Sequence, residues 1–432
     1  MLTSDNSENT TDPPGACQLA AVSPPGGVLS GHDDAYAQPV LVGRLTAVVL
    51  RMHLTAAASA AVSFSPSGAR GAAAPGGGHR RSTGVGRREM TRVFSGIKPT
   101  GHLTLGNYLG AMRQWATVDQ YRADALFCIV DLHALTVDHD PARVRRLSRQ
   151  AATLLLASGL DPERCTVFVQ SHVDEHARLS YLLECVATEG EMRRMIQYKE
   201  KAARERRRGG SVRLSLLTYP VLMAADILAY GADEVPVGND QTQHVELARD
   251  LAVRFNQRYG HTFVVPRATN PAVAARVMNL QDPVSKMGKS NDTGPGIVYL
   301  LDEPDVVRKK IMRAVTDSGS EVVYDRESRP GLANLLEILA ACTGGEPAEL
   351  AASYDGYGAL KRDTADAVIE VLRPLRKRHQ ELCADPGHLE GVLREGAERA
   401  RGMARPTVDA AYRAIGLLPA SDEEAVTPAA AR

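Results

Sequence analysis

From Arg92 to about Leu301, short apolar or β-branched runs alternate with longer amphipathic stretches, and this alternation constrains the fold more than any other feature of the chain. A strand that is apolar at consecutive positions must be covered on both faces. A helix between successive strands supplies that cover, so the pattern predicts βαβ units around a parallel sheet. Residues 92–97, 124–130, 166–170 and 234–237 read as strands. Between the second and third, Asp140 can cap a helix whose first position holds Pro141, with Leu147, Ala151, Leu154 and Leu155 on its apolar face. The fourth strand runs into Gly238-Asn239-Asp240 and a helix from Gln241 to about Arg258, with Val245, Ala248, Ala252 and Phe255 along one side. Beyond about Leu301 the strand signals fade and helical patterns run to about Leu418, which predicts a second, all-helical domain. Ligands of such sheets bind beyond the carboxyl ends of the strands.

Composition narrows the class. A chain of 432 residues holds two or three domains of roughly 100–200 residues each. Lys and Arg total 51, as do Asp and Glu, so no overall field draws in a polyanion and any nucleic-acid surface is a local patch. No run reaches the roughly 18 apolar residues of a membrane span. The six cysteines, Cys17, Cys128, Cys165, Cys185, Cys342 and Cys383, include no C-x-x-C pair, which argues against a disulfide framework or a zinc ribbon and for a reducing cytosol. Cys128, inside Leu126-Phe127-Cys128-Ile129-Val130, reads as a buried thiol.

The chain changes character near residue 90. Of the first 89 residues, 34 are Gly, Ala or Pro, none is Lys, and only Tyr36 and Phe64 are aromatic. Such a stretch cannot bury enough apolar surface to offset its ordering entropy, and 1–89 reads as a disordered low-complexity tail. Its Ser, Ala and Arg content from Arg44 to Arg88 faintly suggests a transit peptide and Val48 to Leu50 a signal core, but Arg51 and His53 interrupt the apolar run. Met90 stands directly before the first strand, and the simpler reading is that translation begins there.

Chemistry begins where the first strand ends. Ser95-Gly96-Ile97-Lys98-Pro99-Thr100-Gly101-His102-Leu103-Thr104-Leu105-Gly106-Asn107 sets glycines and small polar groups ahead of a helix starting near Gly106, and a helix N-terminus attracts phosphate. The stretch lacks the Gly-Lys-Ser/Thr end of a Walker loop and the G-x-G-x-x-G of a dinucleotide fold, so by itself it is equally a generic strand-to-helix turn. About 180 residues later, Lys286-Met287-Gly288-Lys289-Ser290 carries two ammonium groups three residues apart beside Gly288. Two such charges can grip a leaving polyphosphate; a solvated basic loop is the bland alternative.

Taken together, Pro-x-x-His-Leu-Thr-Leu-Gly-Asn closing the first strand and Lys-Met-x-Lys-Ser far downstream resemble the two signature motifs of class I aminoacyl-tRNA synthetases, over nearly all of residues 92 to about 418. Three intervening segments resemble the tryptophanyl-tRNA synthetases within that class: Phe127-Cys128-Ile129-Val130-Asp131-Leu132-His133, Leu217-Thr218-Tyr219-Pro220-Val221-Leu222-Met223-Ala224-Ala225-Asp226-Ile227-Leu228, and Val235-Pro236-Val237-Gly238-Asn239-Asp240-Gln241. The resemblance implies an α/β chain with a Rossmann-like parallel-sheet catalytic domain over 90–300, a connective insertion within it, and a helical anticodon-binding domain over 301–432. It also implies a cytoplasmic, homodimeric tryptophan–tRNA ligase that takes L-tryptophan, ATP with Mg²⁺, and tRNA(Trp), with no zinc and no membrane partner.

Site roles follow from the same resemblance. Lys98, Pro99, Thr100, Gly106 and Asn107 would bind ATP, with Gly106 letting the adenine lie close to the backbone and Thr104 and Asn107 sharing a helix face toward the phosphates. Gly238, Asn239 and Asp240 would hold the ribose side, and the backbone at Val277 would contact adenine. Met287, Gly288 and Ser290 would complete the loop from which Lys286 and Lys289 stabilise the leaving pyrophosphate, and Lys201 would reach ATP from a basic stretch that includes Lys199, Arg204 and 206–208. Asp226, acidic in an otherwise apolar helix, needs a partner before burial is tolerable. The resemblance makes the indole N–H that partner, with Met223 lining the same pocket one turn earlier and Tyr219, Gln241 and His133 around the substrate's ammonium and carboxylate ends. From the residues alone, Asp226 could equally bond a backbone group or an arginine, and His133 or Tyr219 could be satisfied core residues. The basic stretch Arg373, Arg376, Lys377 and Arg378 would carry the anticodon end, or be an exposed helix surface.

Two positions depart from the family pattern. Lys98 stands where glutamine is usual, adding a charge expected to retune binding of ATP and of substrate analogues, and Gly288 replaces a serine. Three rivals remain. A tyrosyl enzyme shares the motifs but suits the 223–226 segment poorly, a small-molecule nucleotidylyltransferase lacks the long helical region, and a non-catalytic paralogue predicts loss of Lys201, Lys286 and Lys289, all of which are retained.

Overall fold

Strands β1 (Arg92–Ile97), β2 (Asp124–Ile129), β3 (Thr166–Val169), β4 (Glu234–Pro236) and β5 (Arg267–Thr269) form one parallel sheet in the order β3-β2-β1-β4-β5. The structure is a computed structural model that describes residues 90–238, 241–269, 276–288 and 294–418. The segment 1–89 lies outside them. The four strands expected from the sequence agree within one residue at each end. The fifth, β5, is three residues entered from Pro266, too short to carry an alternation of its own.

The longer helices are α1 (Pro141–Ala157), α2 (Glu175–Glu184), α3 (Ile196–Arg207), α4 (Leu214–Leu228), α5 (Thr242–Tyr259), α6 (Pro304–Met312), α7 (Pro330–Thr343), α8 (Tyr357–Ala384) and α9 (Pro386–Ala414). Proline opens α1, α6, α7 and α9, where its missing N–H costs nothing and its fixed φ is already helical. Asp140 caps α1 by accepting from the backbone N–H groups of Ala142 and Arg143 at 3.1 and 3.2 Å. The helix expected near Gly106 opens as one α turn, Leu105–Asn107, and continues through π-helical turns at Tyr108–Met112 and Trp115–Asp119.

Period-two packing explains the continuous apolar strands. Ala125, Phe127 and Ile129 of β2 enter one apolar cluster, with Leu154 and Leu155 of α1, Leu336 of α7 and Leu372 of α8; Leu126 and Cys128 enter the other, with α2, α4, α5 and α9. Each fully buried Leu, Ile or Phe contributes about 1.5–3 kcal/mol. The helices beyond residue 301 therefore share their interior with the sheet. The buried thiols follow the same packing: burial pushes Cys128 well above its ordinary value, and Cys165 and Cys342 up to about 12.

The sheet's order reverses direction at β1, since β2 lies on one side of it and β4 on the other. The carboxyl ends of β1 and β4 thus flank a crevice, the place where such sheets take ligands. Arg92 secures the opposite end: its Nε reaches Asp124 at 2.6 Å, its Nη1 donates to the carbonyl of Tyr230 at 2.7 Å, and its backbone N–H donates to Asp233 at 2.8 Å.

Close approach of α9 to β3 depends on Gly396, where a Cβ would sit 1.9 Å from the carbonyl oxygen of Val167. Alanine in a helix interior is ordinarily favoured over glycine by about 1 kcal/mol. Here Gly396→Ala is expected to destabilise by about 1–3 kcal/mol, because backbone has to move. Denaturant midpoints check this; an unchanged or raised midpoint would contradict the docking.

Candidate active site

The two motifs, far apart in sequence, touch. Thr104 caps the single turn Leu105–Asn107 in a reciprocal box: its backbone N–H donates to Asn107 Oδ1 at 3.0 Å, and the backbone N–H of Asn107 donates to Thr104 Oγ1 at 3.4 Å. The Thr104 hydroxyl also donates to Asn107 Oδ1, at 3.2 Å. Asn107 thus offers its NH₂ outward, while the Thr104 hydroxyl, fully buried, is spent within the cap. Just before Asn107, Gly106 lies against the lysine loop: a Cβ there would stand 3.4 Å from the carbonyl oxygen of Met287, in van der Waals contact.

That loop is held as a short antiparallel ribbon. Met287 N–H donates to the carbonyl of Val277 at 3.1 Å, Asn279 N–H donates to that of Ser285 at 2.8 Å, and Met278 bridges Lys286. Asn334 of α7, buried, acts as a further strand's worth of backbone: its Oδ1 accepts from Met278 N–H at 2.9 Å and its Nδ2 donates to Met278 C=O at 3.1 Å. Lys286 emerges exposed, Met287 is buried and Gly288 half-buried. Lys289 and Ser290 lie outside the described residues, as do Asn239 and Asp240. Gly238 is exposed, and its carbonyl accepts from Gln241 N–H at 2.9 Å.

Asp226 is 1% exposed, and three side chains from three elements meet it. Its Oδ1 accepts from His176 Nδ1 at 2.6 Å and from Gln170 Nε2 at 2.7 Å; its Oδ2 accepts from His133 Nε2 at 2.8 Å. The sequence-based expectation needs correction here. Burial of Asp226 is made tolerable by protein donors, not by the indole, and the donors are neither backbone groups nor arginine. Burial alone would push the carboxyl up; the hydrogen bonds and positive field of His133 and His176 outweigh it and hold the group down to about 2. An ionised carboxylate only accepts, so His176 Nδ1 and His133 Nε2 both carry hydrogen. Such a group has about four acceptor positions. Among the described residues Oδ1 uses two and Oδ2 one.

A cationic cluster lies beyond His133. Lys98 Nζ donates to Thr136 Oγ1 at 3.2 Å, and Thr136 in turn donates to the carbonyl of His133 at 2.9 Å. Lys201 Nζ donates to Gln197 Oε1 at 3.0 Å and lies 5.1 Å above the ring of Tyr219. Burial, and then the charge of Lys201, lower the Lys98 ammonium to about 8. Tyr219, pushed upward by burial and by Glu200, stays a phenol; its hydroxyl meets His244 Nε2 at 2.9 Å, and its ring stands edge-on to His133 at 6.2 Å.

Comparison with known proteins accords with this geometry. Residues 87–373 match the family model of class I tRNA synthetases for W and Y. The chain is 87% identical over 330 residues to tryptophan–tRNA ligase 1 of Streptomyces coelicolor, covering 76% of this chain and 98% of that one. The chain belongs to the bacterial tryptophanyl-tRNA synthetases. Among solved structures, the tryptophanyl-tRNA synthetase of Mycoplasma pneumoniae superposes with a TM-score of 0.71 at 35% identity, over 76% of this chain and 98% of that one. The Campylobacter jejuni enzyme, solved with ADP and tryptophan, gives 0.65 at 34%, over 76% and 100%.

Within this synthetase the expected residues fall into two groups: Thr104, Gly106, Asn107, Val277, Lys286 and Met287 around the meeting motifs, and Lys98, His133, Lys201, Tyr219 and Asp226 around the adjoining cluster. Pro99 is buried and Thr100 half-buried behind Lys98. Met223, one turn before Asp226, is half-buried on the second apolar cluster, and Gln241 stands at the start of α5 without a side-chain capping bond. Sequence reasoning missed Gln170, His176, Tyr230, His244 and Asn334, whose only signal was polarity at a strand end or inside a helix. Of the basic stretch in α8, Arg373 pairs with Glu370, Arg378 pairs with Glu381, and Arg376 donates to the carbonyl of Asp302. Phosphate contacts there would have to share these bonds. No group of three or more His, Cys, Asp or Glu able to hold a metal is found among the described residues. Nor is any described helix long and apolar enough to cross a membrane.

Asp226→Asn supplies one acceptor oxygen where three donors converge. The variant is expected to lose about 2–4 kcal/mol of stability. Chemical denaturation measures this; an unaltered midpoint would mean that the three bonds carry no net weight.

Proposed function

We propose that this tryptophan–tRNA ligase reads its amino acid through Asp226 and activates it across the two meeting motifs. The observation that carries the reading is the ionised, fully buried Asp226 carboxylate with an acceptor position remaining on Oδ2. The indole N–H would donate there, with Met223 along the ring and Tyr219, Gln241 and His133 toward the ammonium and carboxylate ends. A site built to pair a substrate N–H rejects analogues lacking it by roughly 10⁴–10⁵.

ATP would lie over Gly106, its adenine against the backbone at Val277, its ribose toward Gly238, Asn239 and Asp240, and its phosphates between Lys98, Thr100, Asn107 and Lys201. A carboxylate oxygen of tryptophan attacks the α-phosphorus in line; the bond to the bridging oxygen breaks and pyrophosphate departs. Lys286 and Lys289 stabilise the charge it carries away, with Met287, Gly288 and Ser290 shaping the loop. A tRNA hydroxyl then attacks the tryptophanyl carbonyl and AMP leaves. Positioning and fixed charge supply the acceleration, with no covalent enzyme intermediate. Mg²⁺ on ATP would neutralise further phosphate charge.

The partner would be tRNA(Trp), its anticodon end carried by the helices beyond residue 301. A homodimer through the segment between the motifs is supported by Tyr181, Ile196 and Leu214, 68%, 58% and 73% exposed despite their apolar bulk. Unpaired thiols such as the exposed Cys185 suit the cytosol.

Amino-acid-dependent ATP–pyrophosphate exchange tests the reading: tryptophan is expected to support it, and tyrosine and phenylalanine at least about 10³-fold less well. Comparable exchange with tyrosine would overturn it. Lys98 adds a pH signature. Its ammonium, lowered to about 8 in the free enzyme, is present below that pH and lost above it. The KM for ATP should be flat to about pH 7 and rise about tenfold by pH 9, whereas Lys98→Gln should abolish the rise. The same slope in both enzymes would remove Lys98 from the phosphate site.

A further inference from the structure

Behind Asp226 stands a second layer of polar groups. His176, wholly buried, gives Nδ1 to Asp226 at 2.6 Å, and its Nε2 lies 2.7 Å from the hydroxyl of Tyr230, itself 1% exposed. We propose that Tyr230 and His176 are positioning residues for tryptophan: through a Tyr230–His176–Asp226 chain they hold the carboxylate so that the remaining acceptor position of Oδ2 faces the indole N–H. The proposal rests on the reading of Asp226 given above.

Three observations carry it. First, the chain of hydrogen bonds is continuous. An ionised Asp226 cannot donate, so Nδ1 of His176 bears hydrogen, and Nε2 of the same ring meets the Tyr230 hydroxyl. Burial first, and then the negative field of Cys128, Asp226 and Glu175, push Tyr230 well above its ordinary value, so it remains a donor. Second, the rings cannot turn. Tyr230 stacks on Phe94 with centroids 5.6 Å apart and 12° between planes, and Phe168 closes on Tyr230 at 5.7 Å and on His176 at 6.0 Å. Third, His176 and Gln170 both occupy Oδ1 and so fix the carboxylate plane, while Gln170 Oε1 accepts from the backbone N–H of Leu132 beside His133. Among the described residues, His176 bonds Asp226 and Tyr230 and neither ring bonds a residue of the two motifs, so their effect should be confined to tryptophan.

The test uses the full-length enzyme in ATP–pyrophosphate exchange with two amino acids, L-tryptophan and 3-benzothienyl-L-alanine, whose sulfur replaces the ring N–H. Tyr230→Phe is expected to raise the KM for tryptophan about tenfold, while kcat, the KM for ATP and the KM for the analogue stay within about twofold. His176→Leu should cost tryptophan about a hundredfold, and His176→Asn, whose amide can present an N–H near the Nδ1 position, should recover most of that. If the variants raise both amino-acid KM values alike, the two residues serve packing alone and the proposal is overturned. It is also overturned if wild type discriminates against the analogue and Tyr230→Phe discriminates equally well, a result that leaves Asp226 as reader intact. A wild type that does not discriminate at all overturns the Asp226 reading and this one with it. Should His176→Leu fail to fold, Tyr230→Phe and His176→Asn still decide.

Discussion

A carboxylate shut away from water is tolerable only when donors surround it, and the donors to Asp226 come from three separate parts of the chain. His133 follows β2, Gln170 follows β3 and His176 lies on α2, while Asp226 itself sits on α4. One ionised side chain therefore ties together the carboxyl ends of two strands and two helices. The pocket's shape and the protein's integrity are consequences of the same bonds. In the proposed reading, specificity for a ring N–H needs no separate device, only an acceptor position that the protein leaves over.

The nucleotide side is organised differently. Here backbone approaches backbone: the loop of Met287 lies against Gly106 of the first motif, and the ribbon of Val277 to Met287 is clasped from behind by Asn334. Because Asn334 belongs to α7, the helical region beyond residue 301 has a direct hold on the segment that carries Lys286. The lysines contribute charge, but the geometry that makes the charge useful is set by main-chain bonds. In a reaction driven by placement of phosphate and carboxylate, rigidity of that kind matters more than any nucleophile.

Charge is concentrated locally within a chain of zero formal net charge. The charge of Lys201 lowers the Lys98 ammonium, beside a half-buried tyrosine. Arginines of α8 instead face carboxylates a turn away or a nearby carbonyl, the ordinary fate of a basic helix surface. The two settings look alike as strings of basic letters and differ only in what lies across from them.

Features that depend on neighbours along the chain were legible: four strands, the Asp140 cap, the proline that opens α1, and the isolated acid at 226 as a group in need of a partner. Period-two and 3.6-residue patterns, caps and turns act over a few residues, so they can be read from the letters alone. The brief strand β5, the π-helical turns after Asn107 and the clasp of Asn334 left no such trace. What only the tertiary structure decided is which partners meet: residues 93, 56 and 50 positions from Asp226 along the chain converge on its two oxygens. Sequence determined that a buried acid had to be satisfied, because desolvation is a property of the residue; the folded chain decided by whom, because proximity in space is a property of the whole.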